Sequence, residues 1–164
     1  DGQQIVASQI DEKSNYWLVI YNSTTSQQTH KIASANNDFI INPSWNAEGN
    51  KITYIGLGAK GKRLMEFNIQ LGTFTELIPY SFNDLACPIY WKNFIIYSSS
   101  YSGVDNLYAF DTDKKETFRI TVSSFGCKYP SIYDNNFIFS DYSADGLCWA
   151  KLQLTQEVGI PLMQ

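Results

Sequence analysis

Residues 43 to 56, PSWNAEGNKITYIG, constrain the fold more than any other stretch, because their pieces recur along the chain. A proline, a gap and an aromatic (Pro43, Trp45) precede an acidic-Gly turn, Glu48-Gly49, and then an apolar strand from Ile52 to Ile55. The turn has a counterpart at Asp1-Gly2, which precedes QQIVASQ as Glu48-Gly49 precedes NKITYIG, an offset of 47 residues. Pro88 and Pro130 follow Pro43 at successive offsets of 45 and 42, each with a tyrosine within three residues and then an apolar strand, FIIY at 94 to 97 and FIF at 137 to 139. A short unit of this kind cannot bury its own apolar face, so recurrence predicts units that stack on one another.

The rest of each unit repeats as well. LMEFN (64 to 68) aligns with LYAFD (107 to 111) and more loosely with LVIYN (18 to 22), and each is followed by a polar turn and another short strand: HKIA, TELI, FRIT. Four short strands every roughly 40 to 45 residues is the period of a propeller blade. The expectation is therefore an all-β chain, a β-propeller of about four four-stranded antiparallel blades, at 1–39, 40–85, 86–127 and 128–164. The first blade lacks a Pro-x-aromatic inner strand. At the other end, Pro161 is 14 residues beyond Leu147, against 23 from the equivalent Leu107 to Pro130, which leaves room for the last blade's outer strand and not for another inner one. The four blades read as part of a larger propeller, with an open edge at Ile5 to Gln9 and an uncovered apolar flank around Phe137, Phe139 and Leu147.

With these residues in place the chain resembles the TolB-type, WD-like propeller repeats, whose blades carry Pro-x-Trp-Ser-Pro-Asp-Gly-Lys, an apolar strand, and a strand ending in Asp. Pro43, Trp45, Glu48 and Gly49 match position by position, with Ala47 in place of Pro and Glu48 in place of Asp; the unit at Pro88 has lost the acidic-Gly turn. The resemblance covers nearly the whole chain and identifies a blade, not an activity. Related blades occur in periplasmic TolB-like proteins, in prolyl-oligopeptidase-like and tricorn-like peptidases, and in Bacteroidetes envelope proteins, to which GCKYPSIYDNNFIFSDYSADG is most similar.

Composition supports short half-buried strands joined by polar turns: 15% aromatic and 17% charged residues, with 11 Tyr and 10 Phe. Net charge is -4 with two arginines, so the positive footprint that a phosphate backbone requires is missing and no nucleic-acid partner is expected. No apolar run approaches the roughly 20 residues of a transmembrane helix, and no signal peptide is visible in the chain.

Several stretches imitate catalytic or cofactor motifs. GLGAKG (56 to 61) fits the dinucleotide fingerprint, but KRLMEFNIQLG after it alternates like a strand, and the fingerprint needs a helix whose amides hold the pyrophosphate. DTDKKE (111 to 116) opens like a calcium loop yet lacks the Gly at its sixth position and the closing Glu, and reads as a hairpin turn. His30, the sole histidine, falls on an outer strand beside Lys31, with no G-x-S-x-G elbow anywhere. Trp17, Trp45, Trp91 and Trp149 read as packing residues between blades. Cys87, Cys127 and Cys148 lack zinc spacing; Cys87 and Cys127 stand just before adjacent inner strands, as packed thiols or as a redox pair. No cofactor, metal site or catalytic residue is expected.

What remains for function is the set of loops on one face, where the fourth-to-first and second-to-third strand connections emerge. The partner-binding candidates are Asn37, Asp38, Asn83, Asp84, Tyr101, Asp105, Phe125, Tyr142 and Asp145, set against the plainer reading that they serve turns and packing. The leading expectation is a non-catalytic scaffold for protein or peptide partners in the cell envelope, periplasmic or outer-membrane-associated from the resemblance, together with the remaining blades of a longer chain. The alternatives are an accessory propeller of a prolyl-oligopeptidase-like or tricorn-like peptidase, and a small-ligand or carbohydrate binder.

Overall fold

In the computed structural model, which describes residues 2–133, 136–153 and 160–161, the chain divides into two compact units, Asp1–Phe82 and Asn83–Gln164. In the first unit, β1 (Gln4–Ile10), β2 (Tyr16–Asn22) and β3 (Gln28–Ala33) form a three-stranded antiparallel sheet. A single 3-10 turn, Ala35–Asn37, leads to a four-stranded sheet of β4 (Phe39–Trp45), β5 (Lys51–Gly58), β6 (Gly61–Asn68) and β7 (Thr73–Ser81). In the second unit, β8 (Leu85–Trp91), β9 (Phe94–Ser99), β10 (Asn106–Asp111) and β11 (Thr117–Arg119) form the third sheet. β12 (Cys127–Tyr133), β13 (Asn136–Ser143) and β14 (Gly146–Gln153) form the fourth. Every pairing is antiparallel between neighbours in sequence, apart from β15 (Ile160–Pro161), which pairs with β11. The expectation that the tail completes the last blade meets the described residues only there, and those two residues join the third sheet instead; residues 154–159 and 162–164 lie outside the described set.

The repeated proline has a structural cause. Each sheet with an inner strand shows a register shift in it, between Ile41 and Ser44, Ala86 and Ile89, and Lys128 and Ser131. At each shift the residue before the proline adopts a left-handed backbone: Asn42 (φ 48), Cys87 (φ 50) and Tyr129 (φ 56). A bulge leaves one residue without a ladder bond, and proline, which has no N–H to donate, suits the place. The residues opposite the three bulges are Tyr54, Tyr97 and Phe139. This register makes Cys87 the counterpart of Tyr129, not of Cys127, which corrects the equivalence drawn from sequence. Both cysteines lie within inner strands, and both are free thiols.

The third strands carry a second repeated device. Asn22 accepts hydrogen bonds on its side-chain oxygen from the backbone N–H groups of Thr24 and Thr25, Asn68 from that of Leu71, and Asp111 from those of Asp113 and Lys114. The last residue of LVIYN, LMEFN and LYAFD is thus the side-chain cap of the following turn, which accounts for the Asp closing that strand in the resembled repeats and for DTDKKE.

In the first unit, Leu18 and Ile20 with Val6 and Ile32 pack on Ile52, Tyr54, Met65 and Phe67 of the second sheet. In the second unit, Ile96, Leu107 and Ala109 pack on Cys127, Phe137 and Phe139, flanked by Ala150 and Leu152. Phe137 and Phe139 are therefore core residues, which corrects their assignment to an uncovered flank. The pairing Phe139↔Ala150, beside Tyr97↔Tyr108, also shifts the last repeat by two residues, so Trp149, not Leu147, is the counterpart of Leu107. The hairpin itself keeps its length, with Tyr97 as far from Tyr108 as Phe139 is from Ala150, so the sequence alignment slipped by matching Leu147 to Leu107 on residue type alone.

Candidate functional site

GLGAKG forms the end of β5, a two-residue turn and the start of β6, with Gly58 paired to Gly61. A Cβ on Gly56 would lie 3.0 Å from Asp38 Oδ2, and one on Gly58 would collide with the same carboxylate, while Gly61 has φ +104 with Ser81 O against it. Gly56 and Gly58 make room for Asp38, and Gly61 for the backbone of Ser81, rather than for a phosphate. Arg63 donates to Asp38 through Nε at 2.7 Å and lies within 2.7 Å of it through Nη2; it reaches Glu76 through Nη1 and the Ala35 carbonyl through Nη2, both at 3.0 Å. Tyr80 donates its hydroxyl to Asp38 at 2.6 Å, and its ring lies under the Arg63 guanidinium. Burial, together with this bond to Asp38, holds the Tyr80 phenol above its ordinary range. Asp38 is 3% exposed, so this candidate is an internal ion-pair partner and presents no contact surface. Asn37, left-handed at φ 55, donates to the Ser14 carbonyl and accepts from the Tyr16 amide, knitting the 11–15 loop to the 3-10 turn.

In the second unit, residues 83–84, 100–105, 120–126 and 144–145 lie at the same end of their two sheets, fixed by the alternating strand directions. Fully buried Asn106 braces them. Its Oδ1 accepts from the Ser123 amide at 2.7 Å and the Thr121 hydroxyl at 3.0 Å, and its Nδ2 donates to Ser102 Oγ at 3.2 Å. Ser123 in turn donates to Asp141 Oδ1 and accepts from the Gly126 amide, and the Cys127 and Tyr142 amides bond to the carbonyls of Asp105 and Gly126. Apart from the Gly126–Ser123 bond, each of these joins a loop to a strand end, and through Asn106, Cys127 and Asp141 the web links the 100–105 and 120–126 loops, so the loop end is preorganised.

A cleft of about 240 Å³ opens on that end. Its walls are Phe125, Tyr129, Tyr142 and Leu147, each more than half exposed. Its polar side is the ion pair of Lys128 Nζ with Asp105 Oδ2 at 2.8 Å. The bond to Asp105 holds the Lys128 ammonium above its ordinary pKa, with Asp84 adding to the field, so Lys128 stays charged at the mouth of an acidic rim.

Of the sequence candidates, Asp105, Phe125 and Tyr142 converge on this cleft, and Asp84 acts on its lysine. Asn83 is exposed beside Asp84, and Asp145 occupies the exposed β13–β14 turn, its amide on Ser143 Oγ. Tyr101 is instead packed on Tyr97 and Tyr108, with ring centroids 6.3 and 5.0 Å away. Lys128, Tyr129 and Asn106 escaped the sequence reading, and Leu147 entered it only as part of the apolar flank of the last blade. Tyr129 could have been found as the residue before the third repeated proline, whereas Asn106 gives no signal, since its role lies in bonds across loops distant in sequence.

No constellation for acyl transfer is assembled by His30, which is exposed on β3 with Nδ1 3.1 Å from Thr29 Oγ1. Among the described residues no His, Cys, Asp and Glu group is arranged to hold a metal ion, and no helix is long and apolar enough to cross a membrane.

No protein-family model and no curated protein matches the chain. Solved structures do. TolB from Agrobacterium tumefaciens superposes with a TM-score of 0.75 at 21% identity, over 98% of this chain and 60% of that one. TolB from Acinetobacter baumannii gives 0.77 at 13%, over 97% of this chain and 40% of that one. Dipeptidyl peptidase 4 of Porphyromonas gingivalis gives 0.68 at 9%, over 92% of this chain and 23% of that one. The fold is thus a β-propeller of the TolB type, and the chain spans 60% and 40% of the two TolB chains.

Proposed function

We propose that the chain is a non-catalytic β-propeller scaffold of the cell envelope which takes a protein or peptide partner at the cleft around Lys128. The observation that carries this reading is the convergence of four exposed apolar side chains and one ion pair on a loop end that Asn106 holds rigid. Aromatic anchors beside a partly desolvated charge pair, on loops ordered before binding, are the recurring makings of a protein-binding patch. Placement in the periplasm or at the outer membrane rests on the likeness to TolB.

A photoreactive phenylalanine analogue at Phe125 tests the assignment. The expected result is a discrete adduct with a different protein in intact cells, lost when Lys128→Glu is added and absent with the probe at exposed Leu71 of the first unit. Equal labelling from residue 71, or an adduct indifferent to Lys128→Glu, would reject the cleft. The likeness to dipeptidyl peptidase 4 favours a second reading, an accessory propeller of a peptidase. Hydrolysis of prolyl peptide substrates by the polypeptide in its full natural length, with none by residues 1–164 alone, would select it.

A further inference from the structure

Ile40, Leu85 and Cys127 hold the same place in their inner strands, each paired with the residue two positions beyond the one opposite its bulge: Gly56, Ser99 and Asp141. All three are buried. At this place the first two are aliphatic, so packing alone is served without a polar atom. A thiol used only for packing would act as a small apolar group. The Cys127 thiol has a polar partner instead, its Sγ lying 3.0 Å from Thr121 Oγ1 on the loop that leads into its own strand.

The direction of that bond follows from what else surrounds the hydroxyl. The Leu107 amide donates to Thr121 Oγ1 at 2.9 Å. Asn106 Oδ1 lies 3.0 Å away on the other side and can only accept. Its orientation is fixed by the Ser123 amide, which donates to Oδ1 at 2.7 Å, and by Nδ2, which donates to Ser102 Oγ at 3.2 Å and to the Val104 carbonyl at 3.4 Å. The single hydroxyl proton of Thr121 therefore goes to Asn106. Of the two lone pairs that remain, the Leu107 amide fills one and the Cys127 S–H fills the other. A relay of donors results, from thiol to hydroxyl to amide oxygen, and it ends on the atom that also holds Ser123. Burial pushes the Cys127 thiol pKa up, with the Asp141 and Asp105 carboxylates adding to the effect, so the proton stays on sulfur at neutral pH.

We propose that the Cys127 thiol is a positioning group: by donating to Thr121 it locks the 120–126 loop closed and so sets the place of Phe125. Val122 and Phe125 are 74% and 65% exposed, so the loop has little apolar burial to hold it and depends on its hydrogen bonds. Without the S–H, Thr121 keeps an unfilled lone pair beside a buried place, and opening the loop is what would return that lone pair to water. The balance then moves from closed toward open. Every group in the lock belongs to the second unit, and the lock holds whatever the cleft binds.

Amide hydrogen exchange of the 120–126 segment, followed in the whole chain with the β5–β6 hairpin as internal reference, tests the lock. Cys127→Ala and Thr121→Val each remove one end of the bond and are expected to speed exchange about five- to tenfold, with the reference unchanged. Cys127→Ser keeps a donor and is expected to stay within about twofold of wild type. The double variant Cys127→Ala, Thr121→Val is expected to exchange no faster than Thr121→Val alone, since both changes remove the same bond. If the thiol served packing only, the order would reverse, with alanine tolerated and serine, polar in an apolar place, the disturbed one. Serine exchanging as fast as alanine, or effects that add in the double variant, would overturn the proposal. Should the Cys127 variants not fold, alkylation by iodoacetamide decides on the native thiol: Thr121→Val is expected to speed labelling of Cys127 about five- to tenfold, with exposed Cys148 as the unchanged reference. An unchanged rate at Cys127 would reject the lock.

Discussion

Arg63 is one of two arginines in the chain, and it is enclosed, with Asp38, Glu76, the Ala35 carbonyl and the Tyr80 ring around it. Removing the cation alone would leave the Asp38 carboxylate buried with only the Tyr80 hydroxyl as a strong donor. Arg63→Met is accordingly expected to destabilise by about 3 to 5 kcal/mol, whereas Arg63→Met combined with Asp38→Asn loses less than the single change, because no uncompensated charge stays inside. Urea midpoints of wild type, Arg63→Met, Asp38→Asn and the double variant check this. A double variant as unstable as the sum of its singles would show that the two groups are not coupled. Asp38 also shows how a sequence reading goes wrong at this scale: Asn-Asp before a strand reads as a turn, and nothing local announces a guanidinium 25 residues on.

Strands, hairpins and the blade period were legible in the sequence because prolines, turn glycines and alternating apolar residues act locally. The bulges were not, although Pro43, Pro88 and Pro130 marked them, since a register shift is a property of two strands. The slip that paired Leu147 with Leu107 arose in the same way. Half of the cleft was legible as loop residues on one end; its lysine was not, because Lys128 matters through Asp105, which the repeat alone does not bring to it. The tyrosine stack of β9, β10 and the loop between them carries a prediction of its own. Burial raises the phenols of Tyr97 and Tyr101 above 10, so the folded protein keeps them neutral where an unfolded chain ionises. Their contribution is whole below pH 10 and is lost as the pH rises through and beyond that value. The urea midpoint is expected to hold below that point and fall above it, and a Tyr97→Phe, Tyr101→Phe variant to fall less steeply. A slope unchanged in the variant would assign the alkaline loss elsewhere.

For the whole molecule, charge sets the widest limits. With 16 acidic and 12 basic residues and a pI near 4.9, the surface repels polyanions at neutral pH. The chain is expected to pass unretained through heparin at low salt and to leave duplex DNA unshifted in a gel; retention that weakens with salt would point to a local basic patch. The recurring bulge has a wider consequence. Each inner strand resets its register at its own proline, so a length error in one hairpin is absorbed before the next sheet begins. The hairpins between the second and third strands differ in how far their ladders run, leaving 59–60, 100–105 and 144–145 outside the strands, while Tyr54↔Met65, Tyr97↔Tyr108 and Phe139↔Ala150 keep one spacing. A gene built this way can gain or lose codons in those connections, or duplicate an entire unit, without shifting the reading of the sheets downstream, and that tolerance allows each loop to diverge on its own.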